Sequence, residues 1–135
     1  MMLASGPSGL DVMRILIADQ SRTMRNITRA VLAQLGHYDV DEAADAAEAV
    51  SRVRFAEFAL CIFDRSMPDA EGVPFARALE LAGFRAEFIA LTRDDESLQR
   101  AEHPKVQILQ KPFAPEALRR AIAQALPPQP VSLAA

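Results

Sequence analysis

Residues 58–63, FALCIF, are apolar at every position. A strand with one wet face alternates polar and apolar residues, whereas a strand covered on both faces reads as an unbroken apolar run. The run therefore predicts the central strand of a sheet with helices on either side. Around it, short apolar stretches alternate with segments of helical period, the pattern of a parallel α/β sheet. RILIA (14–18) is brief and β-branched and reads as the first strand. YDVDEA (38–43) alternates and suits an edge strand, EFIAL (87–91) is a fourth strand, and VQIL (106–109) a fifth.

The intervening segments carry helix punctuation. From Ser21 to Gly36, Met24, Ile27, Val31 and Leu35 recur at steps of three and four and predict one apolar face, with Ser21 as N-cap and Gly36 as the stop. Asp45 with Glu48 three residues on resembles a capping box that opens a helix through Ala49, Val50 and Val53. Gly72 and Pro74 mark a third helix start, with Ala76, Leu79 and Ala82 facing inward and Gly83 ending it. A short, weakly apolar helix is expected at 94–103, with Pro104 as its terminator. Pro115 begins a last helix whose lining is Ala117, Leu118, Ala121, Ile122, Ala125 and Leu126. The result is a (βα)5 chain, for which right-handed crossovers allow few topologies. The closing PPQPVSLAA has nothing to pack. One domain at 13–126 is expected, between flexible tails at 1–12 and 127–135.

Composition narrows the class. The chain has 135 residues, half of them apolar, enough for one core and too few for a second. A formal net charge of −3, with arginines scattered, argues against a nucleic-acid groove. The single cysteine, Cys61, lies in the apolar run, so disulfide staples are excluded and a reducing compartment is expected. No apolar stretch approaches the roughly 20 residues a membrane span needs, and a soluble cytoplasmic protein is the expectation. Nucleotide-binding glycine loops are absent, and two histidines and one cysteine far apart do not make a zinc site.

Four polar residues follow strands directly: Asp19 after the first, Asp64 after the third, Thr92 after the fourth and Lys111 after the fifth. Taken singly, each is a cap, a turn residue or a solvated charge. Ligands of open parallel sheets sit outside the carboxyl ends of the strands where the strand order reverses, so four such residues at one edge predict a polar site.

With LIADQS around Asp19, IFDRSMPDAEG around Asp64, ALT ending at Thr92 and LQKPF around Lys111, the chain resembles a response-regulator receiver domain of the CheY-like family over residues 13–126. The resemblance implies a doubly wound five-stranded sheet of order 2-1-3-4-5, like flavodoxin and CheY. It implies phosphoryl transfer to Asp64 from a histidine kinase or a phosphotransfer protein in a two-component phosphorelay, with no separate enzymatic activity beyond transfer to, and hydrolysis from, Asp64. Such chemistry is mainly positioning and charge neutralisation. Mg2+ would face Asp19, Asp64 and the backbone carbonyl of Ser66. Lys111 would set its ammonium beside the phosphoryl oxygens, Thr92 would follow the phosphoryl group with its hydroxyl, and Lys111–Pro112 would be cis.

Three positions depart from the family. The second of two neighbouring acids, normally a direct metal ligand, is here Gln20, neutral and one methylene longer, so Mg2+ affinity is expected to fall. Arg93 stands where a small residue is favoured; its guanidinium either covers the site, supplies a positive charge that partly substitutes for weakly held metal, or points to solvent. Ile108 replaces an aromatic that couples the threonine to the output face. Two functions follow. One is a stand-alone phosphoacceptor that signals through protein contact, with no effector domain expected after Leu126 and output expected to run through another protein. The other is a degenerate receiver that binds protein or ligand without phosphorylation. A haloacid-dehalogenase-like phosphatase is disfavoured because DRS lacks the second acid needed for general acid–base work.

Overall fold

The computed structural model describes residues 13–67, 70–93 and 104–126. Five strands, β1 (Ile15–Ala18), β2 (Val40–Ala43), β3 (Leu60–Asp64), β4 (Glu87–Thr92) and β5 (Val106–Gln110), form one parallel sheet of order β2-β1-β3-β4-β5. Among the described residues four helices connect or follow them: α1 (Arg22–Gln34), α2 (Ala46–Phe55), α3 (Phe75–Leu81) and α4 (Pro115–Ala125). This is the expected order 2-1-3-4-5, with the FALCIF run supplying the middle strand. The helix expected at 94–103, like the tails at 1–12 and 127–135, lies outside the described residues.

Alternation within each strand divides the core in two. Ile15, Ile17, Leu60, Ile62, Ile89 and Leu91 point to the face covered by α1 and α4, where Val31, Leu32, Leu118 and Ile122 meet them. Leu16, Cys61, Phe63 and Phe88 point to the opposite face, under α2 and α3. There Phe63 packs on Phe75 with ring centroids 4.8 Å apart and edge-on against Phe88 at 5.8 Å. Removing each large side chain of this kind from water contributes about 1.5–3 kcal/mol. Burial raises the Cys61 thiol pKa, so this cysteine is a small hydrophobe and not a nucleophile.

Helix termini follow the local chemistry. Ser21 Oγ accepts from Met24 N–H at 3.1 Å and caps α1, and Gly36, at φ 92°, takes the left-handed position just beyond the helix. Asp45 Oδ1 accepts from Glu48 N–H at 2.8 Å while Glu48 Oε1 accepts from Ala44 N–H at 2.6 Å. The capping box is therefore present, its return bond landing one residue before the cap. Two helix faces differ from expectation. In α1 the buried positions are Thr28, Val31 and Leu32, and Ile27 is 46% exposed. The 3.6-residue period fits both stripes, and the polar Thr28 disguises the buried one. In α3 the inward residues are Phe75, Ala78 and Leu79, with Ala76 and Ala82 only half-buried.

One clamp ties α1 to the edge strand. Arg25 donates to the Asp19 carbonyl at 2.7 Å and to Glu42 Oε1 at 2.9 Å, while Arg29 donates to Glu42 Oε2 at 2.7 Å and to the Val40 carbonyl at 3.1 Å. Burial alone would raise the Glu42 pKa, but hydrogen bonds and charge from Arg29 and Arg25 outweigh it and hold the carboxyl below its ordinary value.

Two outcomes are expected in urea unfolding. Leu32→Ala should cost about 2–5 kcal/mol, whereas Ile27→Ala should stay within about 0.5 kcal/mol; equal losses would show that α1 is rotated from the position described. Because the Glu42 pKa is depressed on folding, its contribution is present above the unfolded-state value and lost as pH falls through the folded one. Glu42→Gln should therefore cost about 1 kcal/mol at pH 7, and the gap to the parent should close below the ordinary glutamate range. A gap that persists at pH 2–3 would contradict the ionic clamp.

Candidate functional site

The strand ladders continue one residue beyond the strands, and this holds the site together. Asp19 N–H donates to the Ala43 carbonyl at 3.0 Å, Arg65 N–H to the Leu91 carbonyl at 2.8 Å, and Lys111 N–H to the Thr92 carbonyl at 2.7 Å. Since Ala18 is in register with Phe63, Asp19 and Asp64 leave neighbouring strands side by side. This is the point where the chain, having gone from β1 to β2 on one side, turns to β3 on the other.

A cavity of about 410 Å³ opens at this edge, lined by Asp19, Ser21, Met24, Asp64, Ser66, Thr92, Arg93 and Lys111. Six residues singled out from the sequence thus share one wall. Asp19 is 2% exposed and Lys111 8%, and Thr92 is also buried. The Lys111 ammonium stands 3.5 Å from Asp64 Oδ1 and 3.7 Å from Asp19 Oδ2, an ion-pair triad at the centre of the site.

Each carboxylate has further partners. Asp19 Oδ1 accepts from Ser21 N–H at 2.8 Å, so the residue that caps α1 also fixes the acid. Asp64 Oδ1 accepts from Ser66 N–H at 3.1 Å and Oδ2 from Ser66 Oγ at 3.0 Å. Asp19 Oδ2 differs: it is buried and makes no hydrogen bond, the ammonium lying beyond hydrogen-bond reach. A buried carboxylate oxygen left in this way is a place for a cation or a donor.

The remaining candidates are placed as follows. Gln20 is exposed and is not part of the cavity wall. Ile108 is half-buried in β5, in register with Ala90 and away from the cavity. The Lys111–Pro112 peptide bond is cis. Sequence reasoning missed Ser21 and Met24 as parts of the cavity wall, and Arg25 as a support just outside it. Met24 was read only as a packing residue of α1, and its place in the first turn, beside the cap, was the available signal. Arg25 is found only through its bond to the Asp19 carbonyl.

Chemically, the site offers a carboxylate beside a buried ammonium, a hydroxyl on the adjacent strand end, and a second carboxylate with an unsatisfied oxygen. Among the described residues there is no cluster of three His, Cys, Asp or Glu side chains suited to a metal ion, and no helix long and apolar enough to cross a membrane.

Comparison with known proteins agrees with this fold. The family model of the response regulator receiver domain matches residues 15–123. The chemotaxis protein CheY of Pseudomonas aeruginosa is 28% identical over 116 residues, covering 82% of this chain and 93% of that protein. The sensor protein EvgS of Escherichia coli K12 is 42% identical over 65 residues, which span 48% of this chain but only 5% of EvgS. Among solved structures, the Vibrio cholerae chemotaxis protein CheY4 is 29% identical with a TM-score of 0.71, covering 85% of this chain and 99% of that one. The receiver domain of the sensor histidine kinase PA1611 of P. aeruginosa, with magnesium coordinated in its active-site cleft, has the same fold: TM-score 0.71 at 23% identity, covering 84% and 97%. With its strand order, its cavity at the switch point and its match over most of the sequence, the chain belongs to the response regulator receiver domain family.

Proposed function

We propose that this receiver domain accepts a phosphoryl group on Asp64 from a histidine kinase or a histidine phosphotransfer protein, and signals through contact with another protein. The observation that carries the reading is the Lys111 ammonium set between Asp19 and Asp64 on the wall of an open cavity. In the transfer, an Asp64 carboxylate oxygen bonds to phosphorus as the bond from phosphorus to the donor breaks. The electron pair of that bond leaves on the donor nitrogen, or on acetate when acetyl phosphate is the donor. Transferring phosphoryl groups carry charge on their equatorial oxygens, and Lys111 is placed to neutralise it. The Thr92 hydroxyl, held at the end of β4, is the group that senses the oxygens on their arrival.

Mg2+ fits the donor set. Asp19, with its unsatisfied Oδ2, Asp64 and the Ser66 carbonyl are the residues that would hold it. When bound, the ion supplies charge neutralisation at the phosphoryl oxygens. A second reading, a degenerate receiver that binds its partner without phosphorylation, is favoured by one observation: Gln20 is neutral and exposed, which leaves two carboxylates where a tighter site would have three.

Incubation with acetyl phosphate and Mg2+, followed by intact mass, decides between the two. The phosphoacceptor reading expects one phosphoryl adduct, lost in Asp64→Asn and reduced at least tenfold in rate by Lys111→Ala, about 1.4 kcal/mol or more in activation free energy. No adduct at saturating Mg2+ would leave only the degenerate reading. Separately, Gln20→Asp should tighten Mg2+ binding about tenfold by calorimetry, about 1.4 kcal/mol. Unchanged affinity would place position 20 off the ion.

A further inference from the structure

Arg93 follows Thr92 directly, and its backbone is held close to Lys111 because Lys111 N–H donates to the Thr92 carbonyl at 2.7 Å. The residue is exposed at the rim and lines the same cavity as Asp64 and Lys111. Among the described residues no carboxylate pairs with it. Arg25, just outside the cavity, is by contrast spent on Glu42 and the Asp19 carbonyl. Among the described residues the cavity wall thus carries two carboxylates, Asp19 and Asp64, and two cations, Arg93 and Lys111, a formal sum of zero. Oxyanions are received by such a wall without net repulsion.

We propose that Arg93 is a second phosphoryl-binding cation, lining the same cavity as the Lys111 ammonium, and that it lowers the dependence of this site on a divalent ion. A guanidinium presents a planar fork of donors that matches two phosphoryl oxygens at once, which an ammonium cannot do. Lys111, buried between two acids, is committed to them in the resting site, so among the described residues the exposed guanidinium at the rim is the cation that meets an incoming anion first. The weak carboxylate set caused by Gln20 and the cation at position 93 are then two halves of one arrangement: fewer acids to hold a metal, and a fixed positive charge in its place. The inference rests on Asp64 being the phosphoacceptor.

The test is beryllofluoride binding by calorimetry and acetyl phosphate labelling by intact mass, on the parent chain, Arg93→Ala and Arg93→Lys, each in EDTA and across a Mg2+ series. Far-ultraviolet circular dichroism and urea unfolding verify that the variants are folded. In EDTA, Arg93→Ala should bind beryllofluoride about tenfold more weakly than the parent, with the gap narrowing at saturating Mg2+, and Arg93→Lys should recover part of the loss. Parent and Arg93→Ala curves that coincide at every Mg2+ concentration, while the parent is still labelled on Asp64, would overturn the role of Arg93 and leave the phosphoacceptor reading standing. A parent chain that takes up neither label at any Mg2+ concentration would overturn both.

Discussion

The register of β1 against β3 is the constraint on which the rest of the structure depends. A parallel sheet buried on both faces has no place for charge along its strands, so polar residues are driven to the strand ends. With Ala18 beside Phe63, the two acids that follow them emerge together. A slip of one residue would turn Ile15 and Ile17 to the aromatic face, Leu16 to the aliphatic one, and part the two carboxylates. Core packing and site geometry are therefore specified by the same pairing.

Bringing two carboxylates together at a buried edge is costly, and Lys111 offsets that cost. It arrives from β5, the far edge of the sheet, and is held by its own backbone bond to Thr92. Its ammonium is shared between the acids, and hydrogen bonds from Ser21 and Ser66 satisfy three of the four carboxylate oxygens. The fourth, Asp19 Oδ2, is left open. Charge left incompletely paired at a buried edge in this way adds little to stability. The Arg25–Glu42–Arg29 clamp lies just outside the site and fixes the Asp19 backbone without touching the cavity.

Much of the fold was legible because its signals were local. The continuous apolar run at 58–63, the Ser21 cap and the Asp45–Glu48 box each carry their meaning within a few residues, and the structure has all three in place. The inner faces of α1 and α3 were less legible. Several residues at steps of three and four fit a stripe equally well, and only contact with the sheet selects Leu32 and Thr28 over Ile27. Of the site, the strand-end residues Asp19, Asp64, Thr92 and Lys111 were readable from their positions after apolar runs. Met24 and Arg25 were not, because their relation to the site passes through space.

By itself the sequence determined the alternation of strands and helices, the identity of the central strand and the set of polar residues at one edge, since hydrophobic period and capping chemistry are properties of neighbouring residues. What only the tertiary structure decided is which charges meet. The 3.5 Å and 3.7 Å approaches of Lys111 to the two acids, the unsatisfied oxygen of Asp19, the exclusion of Gln20 from the cavity wall and the inclusion of Arg93 in it all depend on residues far apart in the chain. Electrostatic interaction falls with distance in space and is blind to separation along the chain, so no local pattern encodes it.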